Sequence, residues 1–322
     1  MRLYLGIDVG SVSTNIALVQ EGGQLVDHVY LRTQGQPIRS LQEGLQQIRH
    51  SLPPGASIAG VATTGSGRQL ASALVGGDII KNEITTHAIA GLQFLPEART
   101  IVEIGGQDSK IIIVRQGTVV DFAMNTVCAA GTGSFLDQQA ARLGIPIEEF
   151  GSHALLSASP THIAGRCTVF AETDMVHKQQ MGHSLSDIIS GLCDALVRNY
   201  LSNVAKGKEL LPPVVFQGGV AANVGIRSAL QRSLATEVIV PPHYHIMGAI
   251  GAALLVKDWP DRNGNSRFRG FAVSEKESRT MGFECPDCPN ACEIVGVLIE
   301  GKTVARWGDR CGKWQFQEDN PA

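Results

Sequence analysis

The chain has 322 residues, 43% of them hydrophobic, and 27 Lys and Arg against 30 Asp and Glu give a net charge of -3. That length and apolar share support a large core, in one big domain or two medium ones. The near-balanced charge, the 5% aromatic content and the lack of a basic stripe argue against a nucleic-acid partner. No run approaches the roughly 18 apolar residues of a membrane span. The stretch Met1-Arg2-Leu3-Tyr4-Leu5-Gly6-Ile7-Asp8 is too short and too acidic for a signal-peptide core. A cytoplasmic protein with no membrane partner is therefore expected.

In chain order, the first element is an apolar strand from Leu3 that runs into Asp8 and the glycine turn Asp8-Val9-Gly10-Ser11-Val12-Ser13-Thr14. A β-rich run over Thr14–Val19 and a polar turn, Glu21-Gly22-Gly23, follow. Apolar residues at three-to-four spacing predict a helix over Ile38–Leu52. The design of the first strand then recurs in Thr100-Ile101-Val102-Glu103-Ile104-Gly105-Gly106-Gln107-Asp108-Ser109, with the run Lys110–Val114 and the turn Gln116-Gly117 after it. Strand, acidic glycine turn, strand, turn, strand thus occurs twice. The economical reading is an internal duplication of a βββ unit. Further helices are expected over Gly133–Leu143, Ser184–Ala205 and the Gly- and Ala-rich Met247–Val256. A third glycine turn, Gly218-Gly219-Val220, follows the strand Val214–Gln217.

These turns suit phosphate. Successive backbone amides at a turn make an anion-binding nest, and the hydroxyls of Ser11, Ser13 and Thr14 add donors. A carboxylate at the strand end, Asp8, is placed to hold a hydrated Mg²⁺. One glycine turn alone reads as an ordinary hairpin; two copies and a third turn point to a nucleotide.

The three motifs, in this order, resemble the superfamily of acetate and sugar kinases, heat-shock chaperone ATPases and actin. The resemblance implies a duplicated actin-like α/β fold of two domains, with ATP held and hydrolysed between related halves. Carried over, Asp8, Gly10, Ser11, Ser13 and Thr14 form the first phosphate site. Glu103, Gly105, Gly106 and Gln107 form the second, and Gly218, Gly219, Val220 and Asn223 border the adenosine, with Gly248 near the nucleotide. The superfamily commonly has Asp where this chain has Glu103. Glu103, Gln107 and Asp108 are therefore all candidates, beside Asp8, for orienting the attacking water or Mg²⁺.

Seven cysteines in a chain with no secretory signal point to metal or redox chemistry. Cys128 and Cys167 each precede a helical run, where the helix dipole and free amides stabilise a thiolate. Cys193 lies in mid-helix and reads as a small buried residue. Two thiolates cannot complete the four-cysteine shell of an Fe–S cluster, but a two-fold homodimer brings four together. The surroundings of Cys128 and Cys167 resemble the activators of 2-hydroxyacyl-CoA dehydratases and the ATPase subunits of benzoyl-CoA reductases. That likeness covers about residues 3–256 and includes Pro242-His243-Tyr244. It implies a homodimer sharing one [4Fe-4S] cluster on Cys128 and Cys167, in which ATP hydrolysis drives a movement that delivers a low-potential electron. It also implies a ferredoxin or flavodoxin as donor. The acceptor it implies is an Fe–S enzyme: a dehydratase, a double-cubane protein or a related reductase.

Composition changes after Trp259. A polar run over Asp261–Glu277 reads as a linker, and the short module beyond it carries Cys285, Cys288, Cys292 and Cys311 around a hairpin at Val295–Arg306. It is too small to stand on its own apolar core, and its four thiols suit Zn²⁺ or a second Fe–S cluster. The expected domains are 1–95, 96–260 and 261–322. His87, His177, His243 and His245 read as structural or substrate-proximal groups. Two other functions stay open at this point: a small-molecule kinase of the same fold, with Glu103 or Asp108 as base, and a nucleotide-binding scaffold.

Overall fold

The computed structural model describes residues 1–125, 131–165, 167–259 and 266–317. They divide into two units, Met1–Ala90 with Gly248–Ala322, and Gly91–Met247.

The first unit is built on β1 (Arg2–Val9), β2 (Ser13–Gln20), β3 (Leu25–Arg32), β4 (Ser57–Thr64) and β5 (Ile79–Ile80), in the order β3-β2-β1-β4-β5. β1 pairs antiparallel with β2 and parallel with β4. Leu3–Ile7 of β1 and Thr14–Val19 of β2 are buried without alternation, the pattern of strands covered on both faces. Helix α1 (Pro37–Arg49) starts on a proline, whose fixed φ suits the first helical position, and buries Leu41, Leu45 and Ile48 at helical spacing. α2 (Arg68–Val75) and α3 (Glu83–Phe94) follow.

The second unit repeats the plan with β6 (Thr100–Ile104), β7 (Ser109–Arg115), β8 (Thr118–Asn125), β9 (Val214–Gln217) and β10 (Val238–Ile239), in the order β8-β7-β6-β9-β10. β6 again pairs antiparallel with the next strand and parallel with β9. Strand order and directions therefore match between the sheets, and the duplication expected from the sequence is real. Its helices are α4 (Gly133–Leu143), α5 (Ile147–Leu155), α6 (Thr168–Gln180), α7 (Leu185–Asn203) and α8 (Val224–Leu234). The core joins Val102, Ile111 and Phe216 of the sheet to Phe135, Phe150, Leu192 and Leu196 of the helices. α7 is capped by Ser184, whose side chain accepts from the Asp187 amide.

The remaining elements, α9 (Met247–Lys257), β11 (Ser278–Glu284), β12 (Glu293–Ile299), β13 (Lys302–Trp307) and β14 (Phe316–Gln317), lie in the first unit apart from Met247. α9 packs so closely on β1 that a Cβ at Gly6 would fall 1.9 Å from the Ala249 carbonyl oxygen. The described part of the polar run after Trp259 is docked rather than loose. The Arg267 amide donates to Asp78 Oδ1 at 2.7 Å, the Arg269 amide to the Val75 carbonyl at 2.8 Å, and Gln42 Nε2 to the Lys276 carbonyl at 2.8 Å. Val273, Val297, Ile299, Val304 and Ala305 enter the same core as Leu3, Leu5, Leu41 and Leu74. The tail module thus stands on the first unit's core. No helix among the described residues is long and apolar enough to cross a membrane.

Candidate functional site

In the first unit, β1 and β2 are joined by a tight turn in which the Gly10 amide donates to the Ser13 carbonyl at 2.9 Å. Ser11 is exposed and Ser13 half-buried. Thr14 is buried, and its hydroxyl lies 3.1 Å from that of Thr33, which itself donates to the Gly10 carbonyl at 2.9 Å. Thr14 therefore braces the turn from inside. The Asp8 carboxylate occupies room that two glycines leave open. A Cβ at Gly65 would fall 2.5 Å from Asp8 Oδ1, and one at Gly248 would fall 2.1 Å from Asp8 Oδ2. The same position above Gly248 lies 3.3 Å from Nε2 of the buried His87. Asp8, Gly248 and His87 are thus brought together, with Gly65 as a fourth member.

The second unit repeats this turn. The Gly105 amide donates to the Asp108 carbonyl at 3.0 Å, and the register sets Glu103 opposite Lys110 as Asp8 stands opposite Asn15. A Cβ at Gly218 would fall 2.6 Å from Glu103 Oε1 and 2.4 Å from the Ile104 carbonyl oxygen; at Gly65 the corresponding carbonyl, of Val9, lies at 2.3 Å. Gly65 and Gly218 have φ of 90° and 89°, a conformation that favours glycine in any case. The extra methylene of Glu103 lets one oxygen face Gly218 while the other meets the Lys110 ammonium at 2.9 Å. That ammonium also lies 2.9 Å from Asp108 Oδ1. Glu103 and Lys110 are buried, Asp108 is half-buried and Gln107 is exposed. The carbonyls of Gly105 and Gly106 accept from the Gly133 and Ser134 amides at 2.8 Å each, so the start of α4 holds the turn. Tyr200 of α7 donates to the Lys110 carbonyl at 2.9 Å, and its phenol pKa is pushed up by burial and then by the Glu103 charge, which keeps it a donor.

In the third turn, the Gly218 amide donates to the Tyr244 carbonyl at 2.8 Å, tying the turn to Pro242-His243-Tyr244. Gly219 is exposed and Val220 buried. Asn223 caps α8, its side-chain oxygen accepting from the Gly225 and Ile226 amides at 3.0 and 3.1 Å. Its Nδ2 is buried and, among the described residues, has no hydrogen-bond partner, a donor available to a ligand.

Cys128 lies outside the described residues. Cys167 is half-buried at the N-cap of α6, as its sequence suggested, ahead of the exposed Val169 and Phe170. Cys193 is fully buried in α7, and burial pushes its thiol up, so it stays protonated and inert. The tail thiols sit at one end of their sheet: Cys285, Cys288 and Cys292 in the β11–β12 loop, Cys311 in the β13–β14 loop. Trp314 Nε1 lies 3.2 Å from Cys285 Sγ and links the two loops. Among the described residues, however, no three His, Cys, Asp or Glu side chains are gathered closely enough to hold a metal ion.

Two residues of this constellation escaped the sequence. Gly65 follows β4, and its tie to Asp8 depends on the parallel β1–β4 pairing, which no local pattern announces. Lys110 carried a readable signal: a four-residue turn at 105–108 fixes which residue opposes Glu103.

Comparison with known proteins gives a consistent picture. The model of the BadF/BadG/BcrA/BcrD ATPase family matches residues 5–256. The (R)-2-hydroxyglutaryl-CoA dehydratase activating ATPase of Acidaminococcus fermentans is 34% identical over 259 residues, 79% of this chain and 97% of that protein. The activator of lactoyl-CoA dehydratase of Anaerotignum propionicum is 36% identical over 255 residues, 78% of this chain and 95% of that protein. Among solved structures, the activator of 2-hydroxyisocaproyl-CoA dehydratase from Clostridium difficile, with bound ADPNP, superposes with a TM-score of 0.72. It is 33% identical and covers 80% of this chain and 94% of its own. The fold is the duplicated actin-like one, with a small C-terminal sheet added.

Proposed function

This chain belongs to the BadF/BadG/BcrA/BcrD ATPase family and is an ATPase, and on that premise we propose that it is an ATP-driven activator delivering a low-potential electron to a partner enzyme. The observation that carries the reading is Cys167. It heads α6 in the unit that holds the second glycine turn, half-buried, a thiol placed at a helix start where a shared Fe–S cluster could take it as a ligand.

In this reading Asp8 holds Mg²⁺ through water, and the Gly10–Ser13 amides with Ser11 and Ser13 receive phosphate, braced by Thr14. Gly105, Gly106 and Gln107 receive phosphate on the second turn. Glu103 and Asp108 orient the water. Gly218, Gly219, Val220 and Asn223 border the adenosine, and Gly248 leaves room for Asp8. Cys128 and Cys167 from each of two copies hold one [4Fe-4S] cluster, which supplies a one-electron reservoir when bound. The acceptor is an Fe–S enzyme: a 2-hydroxyacyl-CoA dehydratase, as the relatives' names suggest, a double-cubane protein or a related reductase. The donor is a ferredoxin or flavodoxin, in the reducing cytoplasm. Cys285, Cys288, Cys292 and Cys311 would hold Zn²⁺ or a second Fe–S cluster in the tail, and take no step in this path.

Anaerobic purification tests the reading. It is expected to give a brown dimer with about one cubane per two chains, whose EPR signal changes on adding ATP and is lost in Cys128→Ala. A colourless monomer that still hydrolyses ATP, or a cluster signal indifferent to ATP, would sink it.

A further inference from the structure

We propose that Lys110 is a positioning residue of ATP hydrolysis: its ammonium fixes the Glu103 carboxylate and cancels its charge, with Asp108 bracing the ammonium from the other side. The proposal rests on the assignment of the second turn to phosphate and water.

Lysine is almost never fully buried unless paired, yet the Lys110 side chain is 2% exposed. Its Nζ lies 2.9 Å from Glu103 Oε2 and 2.9 Å from Asp108 Oδ1. Burying such a group has a large desolvation cost, and hydrophobic replacements often serve stability as well or better. A lysine at this position therefore suggests a purpose beyond holding the hairpin.

The geometry is directional. Antiparallel register sets Lys110 opposite Glu103, and the Tyr200 hydroxyl holds the Lys110 carbonyl at 2.9 Å. The ammonium takes Glu103 Oε2, while Oε1 points at the space that Gly105 and Gly218 keep open, 3.2 and 2.6 Å from where their Cβ atoms would stand. Lys110 thus holds Glu103 by one oxygen, and the other lies over Gly105 and Gly218 beside the turn. At the same register in the first unit stands Asn15, a neutral amide facing Asp8. The duplicated hairpin has acquired a cation in the half whose carboxylate must face anionic phosphate and its attacking water. With Lys110 in place, that water meets a fixed acceptor in a site of one net negative charge instead of two, the preorganisation that lowers a barrier without tightening substrate binding.

The test uses the full chain, kept anaerobic, as wild type, Lys110→Met, Glu103→Gln and the double variant. Each is measured for kcat and KM of MgATP hydrolysis, for the dissociation constant of a non-hydrolysable ATP analogue and for thermal midpoint. Lys110→Met is expected to lose about 100-fold in kcat while analogue affinity stays within about threefold. The double variant should hydrolyse ATP within about threefold of Glu103→Gln, because the lysine acts through that carboxylate. It should also regain the thermal midpoint lost in Lys110→Met, because the buried Glu103 charge is gone. Wild-type kcat in Lys110→Met overturns the proposal, and so does a loss confined to analogue affinity, which would make the lysine a direct nucleotide ligand. Should Lys110→Met fail to fold, the double variant decides: a further loss of about tenfold beyond Glu103→Gln overturns positioning. Wild-type turnover in Glu103→Gln removes the assignment of the second turn. A slow Glu103→Gln beside a fast Lys110→Met removes this proposal alone.

Discussion

Lys110 Nζ stands 2.9 Å from Glu103 Oε2, whereas the residue at the same register opposite Asp8 in the first half is a neutral amide, Asn15. One backbone plan therefore presents two carboxylates in different electrostatic settings. Asp8→Asn is expected to slow ATP hydrolysis by about 100-fold and to raise the Mg²⁺ concentration needed for half-maximal rate. Phosphate release measured across a Mg²⁺ titration reads both. Unchanged turnover at an unchanged Mg²⁺ requirement would take Asp8 out of the metal role.

Gly65 and Gly218 make a second, purely steric prediction. Alanine at either position adds a left-handed backbone penalty of about 1–2 kcal/mol and drives a Cβ into a carbonyl oxygen 2.3 or 2.4 Å away. Gly117, at φ of 73° with nothing within 4 Å of its Cβ position, supplies the backbone penalty alone. Denaturant unfolding should give Gly117→Ala a loss of about 1 kcal/mol and each of the other two about 3 kcal/mol or more. Nucleotide affinity should fall only in those two. Equal costs at all three sites would mean that the carboxylate turns yield easily.

The cap of α7 predicts an acid limb. The Ser157 hydroxyl and then the Ser159 amide, donating to Asp187 at 2.7 and 2.9 Å, hold that carboxyl down at about 2. Its folded pKa lies below the ordinary value of about 3.9, so its contribution is complete above that value and fades as pH falls toward 2. Asp187→Asn is expected to flatten the decline of the urea midpoint between about pH 4 and pH 2. A variant that loses stability as steeply as wild type across that window would contradict the assignment.

The tail predicts a contrast between apolar and thiol substitutions. Ile299 is 7% exposed in the core shared with Leu5 and Leu41, so Ile299→Ala should cost about 2–5 kcal/mol. Replacing Cys288 and Cys311, both exposed, with serine should change stability by less than about 0.5 kcal/mol. Thermal unfolding of the full chain compares them. A large loss in the serine variant would show that the thiols fasten the module.

Much of this was readable in the chain itself. Asp8 and Glu103 end strands of the same design, so the repeat announced the paired strands of both sheets, while apolar spacing and small-residue content announced helices at Gly133–Leu143 and Met247–Val256, the second observed over Met247–Lys257. Local signals sufficed there because hairpin turns and helical spacing are properties of neighbours in sequence. Gly65 was hidden because its meaning comes from β4 lying parallel to β1, a pairing between distant segments. The docking of the tail was hidden for a related reason. Val297, Ile299 and Val304 read as the inward face of any small hairpin, and only the fold reveals that the covering layer is α2, with α1 packed on the adjoining turn at Phe271–Glu275. Lys110 sat in plain view within the turn, but its importance rests on burial, which a charged letter in a sequence does not suggest.

That shared core has a bearing on truncation. Val273, Val297 and Val304 lie in one core with residues such as Leu41 and Leu74, so the extension is no detachable appendage. Its removal would strip apolar surface bare and invite aggregation. A shortened chain would have to be judged as a wounded first unit, not as a core freed of its ornament.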